Sequence, residues 1–366
     1  MRVFTKKNYH GEKALYIFGL KFPYTTETFE DNHKKIHFGR FSIEYTVDHS
    51  TDTYTTRILG IPVSFNLAML NRRVWHYKMR NSLTEKRKQE MLQEEMISLL
   101  GYRINLENPV TFNEKIHWSK FHIHDPLITT CCDKYAVKEY AAKIIGEEYV
   151  LPVIGAWERA EDIDFDMLPD QFALKVNWSS GYNIIVSDKS KFNKADAFKK
   201  IRHWMRPEQN SYWSTFNWGY RDMKPMAFAE PYIDQGNGQV YDYKFFFNNG
   251  EYRFMLIATD RFGDKQMTDT FFDENFEPLP FVRGNRLVAD PVPKMPKHLD
   301  KMLELGKKLA EPFQFVRVDF YEVGDRIYLG EMTFYSGGGM IPFKPAEWDR
   351  ILGERIVLAE DMRNNE

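Results

Sequence analysis

A chain of 366 residues is longer than one hydrophobic core ordinarily serves, which favours two or three packed units. Its hydrophobic content of 43%, with 29 Phe, 20 Tyr and 8 Trp, excludes a disordered chain. The balance of 50 Lys+Arg against 52 Asp+Glu gives a formal charge of −2 and excludes a broad basic field for nucleic acid.

From the N-terminus, the apolar stretch 14–20 is short, runs into Lys21 and lacks a small-residue cleavage site, so no signal peptide is expected. Nowhere do eighteen apolar residues run together, so no membrane-spanning helix is expected either. Residues 1–65 are rich in Thr, Tyr, Phe and Ile and read as short strands. The runs 16–22 and 56–63 echo each other, each broken by a glycine, as in a small β-unit that bends at Gly19 and Gly60.

Between 71 and 101 the pattern turns helical. Thr84 caps a helix over 85–100, with Leu92, Met96, Leu99 and Leu100 on one face and Gly101 as the stop. Lys86, Arg87, Lys88, Glu90, Glu94 and Glu95 then form its solvated face. A connector over 105–125 carries Pro109 and three histidines, His117, His122 and His124, for which metal binding, without Cys or a clear carboxylate triad, is the minor reading. The two cysteines, Cys131 and Cys132, are adjacent, which leaves no disulfide framework and points to a reducing, cytosolic compartment. They are expected to be inert residues beside a helix start.

Asp133 is placed to cap a helix over 134–145 that ends at Gly146, and a strand is expected near 150–154. Strands over 172–177 and 183–187 flank a loop of small residues, and Asn193 caps a helix with Phe198, Ile201 and Met205 inward. Strands 240–247 and 251–258 form a hairpin over an Asn-Gly turn. A helix over 297–309 leads into a last hairpin, 313–323 with 326–334. The fold class is α+β with mainly antiparallel sheet. The expected domains are a β-rich unit over 1–68, a helical connector over 69–130 and a larger domain over 131–366.

Chemistry-bearing residues concentrate in that last part. On the strand before the small-residue loop, Lys175 and Asn177 share a face that leads into Ser179, Ser180 and Gly181. Such a turn can aim backbone N–H groups at phosphate, with the lysine as a point charge, or be a plain tight turn with a surface lysine. Asp242 and Lys244 share a face of their strand, an acid and a base together where a core strand would carry neither. Upstream, Glu230 and Pro231 interrupt an apolar strand, so any backbone donor that reads an adenine edge must come from Tyr232 or Ile233.

The densest signal is Arg317-Val-Asp319 facing Glu331-Met-Thr333 across the last hairpin. A two-residue turn at Gly324-Asp325 would pair Asp319 with Gly330, whereas a three-residue loop, 324–326, pairs Asp319 with Glu331 and Arg317 with Thr333. The second register is expected. Opposed carboxylates require a cation or proton between them, and Mg²⁺ suits two carboxylates with water and nucleotide oxygens. Arg317 would then hold an anionic substrate or stabilise transition-state charge. The plain alternative is a surface hairpin with an Arg–Glu ion pair. The glycines 337–339 would either let a substrate approach the backbone or make a mobile turn, and the loop 263–273 is a second candidate for setting specificity.

The order Asp133-Lys134, Leu174-Lys175 with Ser-Ser-Gly, Glu230, Arg317-x-Asp319 and Glu331-x-Thr333 resembles the ATP-grasp superfamily. The runs Pro109-Val-Thr-Phe-Asn-Glu-Lys-Ile, Asp133-Lys-Tyr-Ala-Val-Lys-Glu-Tyr, Asp242-Tyr-Lys-Phe-Phe and Gly330-Glu-Met-Thr-Phe look more narrowly like its TupA-like branch, over roughly 105–345. That resemblance implies two α+β subdomains clamping ATP and Mg²⁺. It implies phosphate contacts from Lys134 and Lys175 and a lid of Ser179, Ser180 and Gly181. Glu230, with Tyr232 and Ile233, would lie at the adenine hinge and Asp242 by the ribose. Asp319 and Glu331 would bind Mg²⁺, and Arg317 with Lys244 would be catalytic. Thr333 stands where many relatives carry a third, Asn ligand.

The activity so implied is an ATP-dependent carboxylate–amine ligase acting through an acylphosphate in bacterial cell-surface polysaccharide synthesis. A carboxylate-bearing glycan or small molecule, such as a uronic acid, and an amine or amino acid would be the partners, in the cytoplasm or near the inner membrane face. The alternatives are a sugar or glycan kinase using the same clamp, a glycosyltransferase of the same pathway, and a non-catalytic nucleotide sensor.

Overall fold

The computed structural model describes residues 73–233, 241–259 and 268–358 in full, and Arg72 and seven strands between residues 4 and 66 by secondary structure alone. The glycine bends at 19 and 60 and residues 263–267 of the expected 263–273 loop lie outside the described residues, while 268–272 of that loop form a strand. The chain divides into two compact units, one of residues 1–103 with 193–216, the other of 104–192 with 217–366.

In the first unit, β1 (Phe4–Tyr9), β2 (Glu12–Ile17), β3 (Leu20–Thr28), β4 (His33–Phe38), β5 (Phe41–Asp48), β6 (Thr53–Ile58) and β7 (Ile61–Asn66) form an antiparallel meander in chain order. Helix α1 (Arg72–Lys78) precedes α2 (Glu85–Leu100), which the Thr84 hydroxyl caps at the Arg87 amide and Gly101 ends at φ 85°. Lys88 is not on a solvated face: it is buried, with its ammonium 2.5 Å from Glu85 and 2.9 Å from the Tyr212 hydroxyl. Two polar partners satisfy the charge there while the aliphatic stem packs.

The second unit begins with α3 (Phe112–His122). A capping box between Thr111 and Glu114 starts it, and it is buried nearly all round, so the connector contains a core helix. Next come α4 (Pro126–Cys132) and α5 (Val137–Ile145). The latter starts three residues later than expected, because the Asp133 carboxylate accepts from the Tyr135 and Ala136 amides and closes a turn of its own. Residues 150–154 form no strand. Val150 makes a single bridge, and the strand β8 is Gly155–Trp157.

The strands β9 (Phe172–Val176) and β10 (Asn183–Val186) follow. The chain then passes through the first unit as α6 (Lys194–Trp204), capped by Asn193, and α7 (Tyr212–Thr215). On its return, β11 (Ala227–Pro231) completes a four-stranded antiparallel sheet of order β10-β9-β11-β8.

The larger sheet has the order β14-β13-β12-β16-β17. The pair β12 (Asp242–Asn248) and β13 (Glu251–Thr259) turns at Asn249 and Gly250, both left-handed at φ 51° and 74°, as an Asn-Gly hairpin demands. Beyond them lie β14 (Thr268–Phe272), β15 (Val282–Arg283), α8 (Leu299–Ala310), β16 (Phe315–Val323), β17 (Arg326–Thr333), β18 (Phe343–Lys344) and α9 (Glu347–Glu354). One face of the sheet packs under α8, where a Cβ on Gly306 would sit 2.7 Å from the Phe247 ring. The other face meets Phe112 of α3, edge-on to Phe246, Phe254 and Phe315 of this sheet and to Phe343 of β18, with centroids 5.8–6.3 Å apart.

The pairing of Asp319 with Glu331 and Arg317 with Thr333 is as expected, but the three-residue loop is not. Val323 pairs with Arg326 across a two-residue turn, and a bulge at Gly330 supplies the missing residue. Its cause lies in the side chains. Ile327, Leu329 and Glu331 alternate, so an unbroken strand would turn all three the same way. Leu329 pairs with the fully buried Phe320 on the α8 face, whereas Glu331 pairs with Asp319 on the other. The bulge lets the apolar residues reach the core while Glu331 and Thr333 join the polar face. A Cβ at Gly330 would lie 2.9 Å from the Tyr321 ring and 3.3 Å from the Asp319 carbonyl, so the position suits glycine.

Candidate active site

The polar face of the larger sheet carries Asp242 and Lys244 on β12, Arg317 and Asp319 on β16, and Glu331 and Thr333 on β17. Lys244 pairs directly with Asp319 in the ladder, and its ammonium lies 2.5 Å from Asp319 Oδ2 and 3.1 Å from Asp242 Oδ2. Arg317 grips Asp319 through Nε at 2.7 Å and Nη2 at 2.8 Å, and Nη2 also reaches Glu331 Oε1 at 2.8 Å and Thr333 Oγ1 at 3.0 Å. The cation between the two opposed carboxylates is therefore Arg317 itself. Thr333 donates to Glu331 at 3.2 Å.

Asp242 and Asp319 are 2% and 1% exposed, so charge there is set by the neighbours. Burial pushes the Asp319 carboxyl upward, with Arg317 and Lys244 opposing it. Burial would lower Lys244 and Arg317, but Asp242 and Asp319 outweigh it at Lys244, and Asp319 and Glu331 outweigh it at Arg317, so both are held above their ordinary values. The two cations thus hold their protons firmly, while burial works against the charge on Asp319. Glu331 adds a fifth charge from the strand edge, 3.9 Å from the ammonium of Lys134.

Lys134 reaches this face from the turn that Asp133 closes. Asn177 fixes that turn from the end of β9: its Nδ2 donates to Asp133 Oδ2 at 2.7 Å and to the Lys224 carbonyl at 2.9 Å, and its carbonyl accepts from the Lys134 amide at 3.3 Å. Asn177 is fully buried, a positioning residue rather than part of an open polar face.

A second cluster lies on the smaller sheet. Glu230 on β11 is 4% exposed and pairs through one carboxylate oxygen with Lys175 of β9 and through the other with Lys138 of α5. Burial raises a carboxyl, yet Lys175 and Lys138 outweigh it and hold Glu230 below its ordinary value. Burial lowers Lys138 against the pull of Glu230. Tyr232 and Ile233, just beyond β11, are half-buried. In the β9–β10 loop Ser179 is buried, while Ser180 and Gly181, the latter at φ 78°, are exposed.

Sequence reasoning passed over four residues. Lys138 stands one helical turn after Lys134, a spacing that was there to be read. Arg283 sits on a two-residue strand with no periodicity. Ser336 accepts from Arg283 Nη1 at 3.0 Å and from Arg317 Nη1 at 3.4 Å, which joins the two guanidiniums. Asp269 on β14 extends the polar face, 3.7 Å from Arg286.

Ser336 opens the glycine turn, where Gly337, Gly338 and Gly339 all have positive φ of 59–68°. Its carbonyls are held from three sides. Arg283 Nη2 donates to Ser336 O at 2.9 Å, buried Lys120 to Gly338 O at 2.7 Å, and the His117 ring lies 2.9 Å from Gly339 O. Those bonds tie the turn down. His122 and His124 stack on Trp118 and Trp218, and among the described residues no three His, Cys, Asp or Glu groups gather as a metal site. Nor, among them, is any helix long and apolar enough to cross a membrane.

A sequence profile described as TupA-like ATPgrasp matches residues 114–357. No curated protein is matched. Among solved structures, the chain is similar to D-alanine–D-alanine ligase from Helicobacter pylori, at 17% identity, 62% of this chain, 57% of that chain and a TM-score of 0.34. It is also similar to the Bacillus anthracis ligase complexed with ATP, at 13% identity, 69% of this chain, 83% of that one and a TM-score of 0.38. For N5-carboxyaminoimidazole ribonucleotide synthetase from Thermus thermophilus the values are 12%, 56%, 45% and 0.32. The profile covers well over half of the chain, including both charged clusters, and on that match the protein belongs to the TupA-like ATP-grasp family.

Proposed function

We propose that the chain is an ATP- and Mg²⁺-dependent carboxylate–amine ligase of bacterial cell-surface polysaccharide synthesis, working in the cytoplasm to amidate a uronic acid or its precursor. The acid's oxygen takes the γ-phosphoryl group and ADP leaves. The amine nitrogen then attacks the acyl carbon, phosphate departs and the amine loses a proton. The observation that carries this reading is the meeting of Asp319, Glu331, Arg317 and Lys244 on one sheet face in a chain of this family.

The donor set fits Mg²⁺ on its chemistry: hard carboxylate oxygens of Asp319 and Glu331, too few for an all-protein cage and suited to a metal that arrives with phosphate oxygens. When bound, the ion would neutralise phosphate charge. Lys134, whose ammonium is beyond hydrogen-bond length from Glu331, has donors to offer a phosphate. Lys175 would be the second phosphate contact, held in place by Glu230, with Ser179, Ser180 and Gly181 as the lid. Adenine would lie against the backbone of Glu230, Tyr232 and Ile233, and the ribose by Asp242. Arg317 and Lys244 hold the carboxylates in place and would supply positive charge at the reacting groups, so the protein acts by positioning and charge.

The test is incubation with Mg-ATP, glucuronate and a panel of amines. Expected is release of ADP and phosphate together, dependent on both acid and amine, and lowered about a hundredfold by Glu331→Ala. Release of ADP without phosphate would assign a sugar kinase instead. AMP production or nucleotide-sugar turnover would refute the ligase.

A further inference from the structure

Glu230 is a buried acid with one charge and two ammonium partners. Lys175 of β9 meets one of its carboxylate oxygens and Lys138 of α5 the other, and among the described residues no second acid lies at ion-pair distance from either lysine. The cluster therefore carries one positive charge beyond balance. A buried carboxylate is neutralised by a single cation, and a second ammonium brought to the same group loses hydration without a charge of its own to meet. The surplus calls for an anion.

The two lysines are not equivalent. The Lys138 ammonium also donates to the Leu151 carbonyl at 2.8 Å, and its side chain is 12% exposed. The Lys175 ammonium has Glu230 as its sole partner among the described residues, its side chain is 21% exposed, and its strand runs into the loop of Ser179, Ser180 and Gly181. Lys138 is the tethered cation and Lys175 the one with donors to spare. Were Lys175 alone on Glu230, turning it toward a ligand would leave the acid unpaired, and a buried charge stripped of its partner is strongly destabilising.

We propose that Lys138 is a positioning residue for Lys175: as the standing counter-ion of Glu230, it lets Lys175 give its charge to a nucleotide phosphate while the acid stays paired. The inference rests on the proposed role of Lys175 as a phosphate contact. Glu230 keeps Lys175 at the site, and Lys138 keeps Glu230 from tying up its charge. Lys138 itself does not touch the nucleotide. Its influence passes through one carboxylate, so it vanishes when that carboxylate is made neutral.

The experiment measures the affinity of the full chain for a non-hydrolysable Mg-ATP analogue and for adenosine, by competition against a fluorescent nucleotide. Wild type, Lys175→Met, Glu230→Gln, and Lys138→Met and Lys138→Gln, each alone and combined with Glu230→Gln, are compared. Expected is analogue binding weakened at least about tenfold by Lys175→Met and by Lys138→Met, with adenosine binding within about threefold of wild type. In the Glu230→Gln protein, the same change at Lys138 should move analogue affinity by less than about threefold. A purely structural role would weaken adenosine in step with the analogue, and a direct contact of Lys138 with phosphate would cost as much in the Glu230→Gln protein as in wild type; either result overturns the proposal. A folded Lys138→Met protein that binds the analogue like wild type, while Lys175→Met does not, overturns it too and leaves the nucleotide reading standing. Should Lys138→Met fail to fold, Lys138→Gln, which removes the charge and keeps an N–H donor, decides by the same criteria. Wild type that binds no analogue, or a Lys175→Met protein that binds it as tightly as wild type, sinks the nucleotide reading of the cluster and this inference with it.

Discussion

Replacing Asn177 by Ala removes one buried side chain and strands three groups at once. Asp133 Oδ2 loses a donor at 2.7 Å, the Lys224 carbonyl one at 2.9 Å, and the Met226 amide an acceptor at 2.9 Å. A neutral hydrogen bond contributes about 0.5–1.5 kcal/mol and one to a charged group about 1.5–3 kcal/mol, so two of the first and one of the second place the local cost at about 2.5–6 kcal/mol. The Lys224 side reaches solvent, which draws the value toward the lower end. Burial already pushes the Asp133 carboxyl upward, so loss of the amide also weakens its hold on the Tyr135 and Ala136 N–H groups. Native-state hydrogen exchange reads this directly: protection of the Tyr135, Ala136 and Met226 amides should fall by more than about a hundredfold. Affinity for a Mg-ATP analogue should fall with it, because the loosened turn carries Lys134. Unchanged protection at those three amides, or an intact turn with lost nucleotide binding, would refute the reasoning.

Gly330→Val places a Cβ 2.9 Å from the Tyr321 ring and 3.3 Å from the Asp319 carbonyl, so it should cost about 1–2 kcal/mol in urea unfolding and shift Asp319 enough to weaken Mg-dependent nucleotide binding. Equal binding by the two proteins would show that the bulge does not set the carboxylate spacing. Burial pushes the Cys131 thiol up to about 12, so the neutral form prevails at pH 8. Iodoacetamide at pH 8 should leave it unmodified in the folded protein and alkylate it in urea, as mass spectrometry would record.

Much of the site was legible because charged residues on strands are rare and their alternation is simple. Asp319 opposite Glu331 followed from the wish to bring acids together, and the pairing holds, yet the loop length assumed for it does not. Gly330 inside a strand was the overlooked mark. Where tertiary packing overrides local pattern, the sequence misled. Lys88 looked solvated and is buried with Tyr212, and Asp133 looked like a helix cap but shapes a turn that presents Lys134. Arg283 and Ser336 could not be found, because a two-residue strand has no period and its partners lie 53 positions on.

The bulge at Gly330 also divides β17 into two mechanically separate parts. The outer part, with Ile327 and Leu329, answers to the apolar interior, and the inner part, with Glu331 and Thr333, to charge. One extra, unpaired residue, Gly330, lies between them. Repacking around Ile327 or Leu329 can therefore be absorbed before it reaches the acids. The charged centre is insulated from drift in the body that supports it, and sheet interior and charged face are free to change on separate schedules.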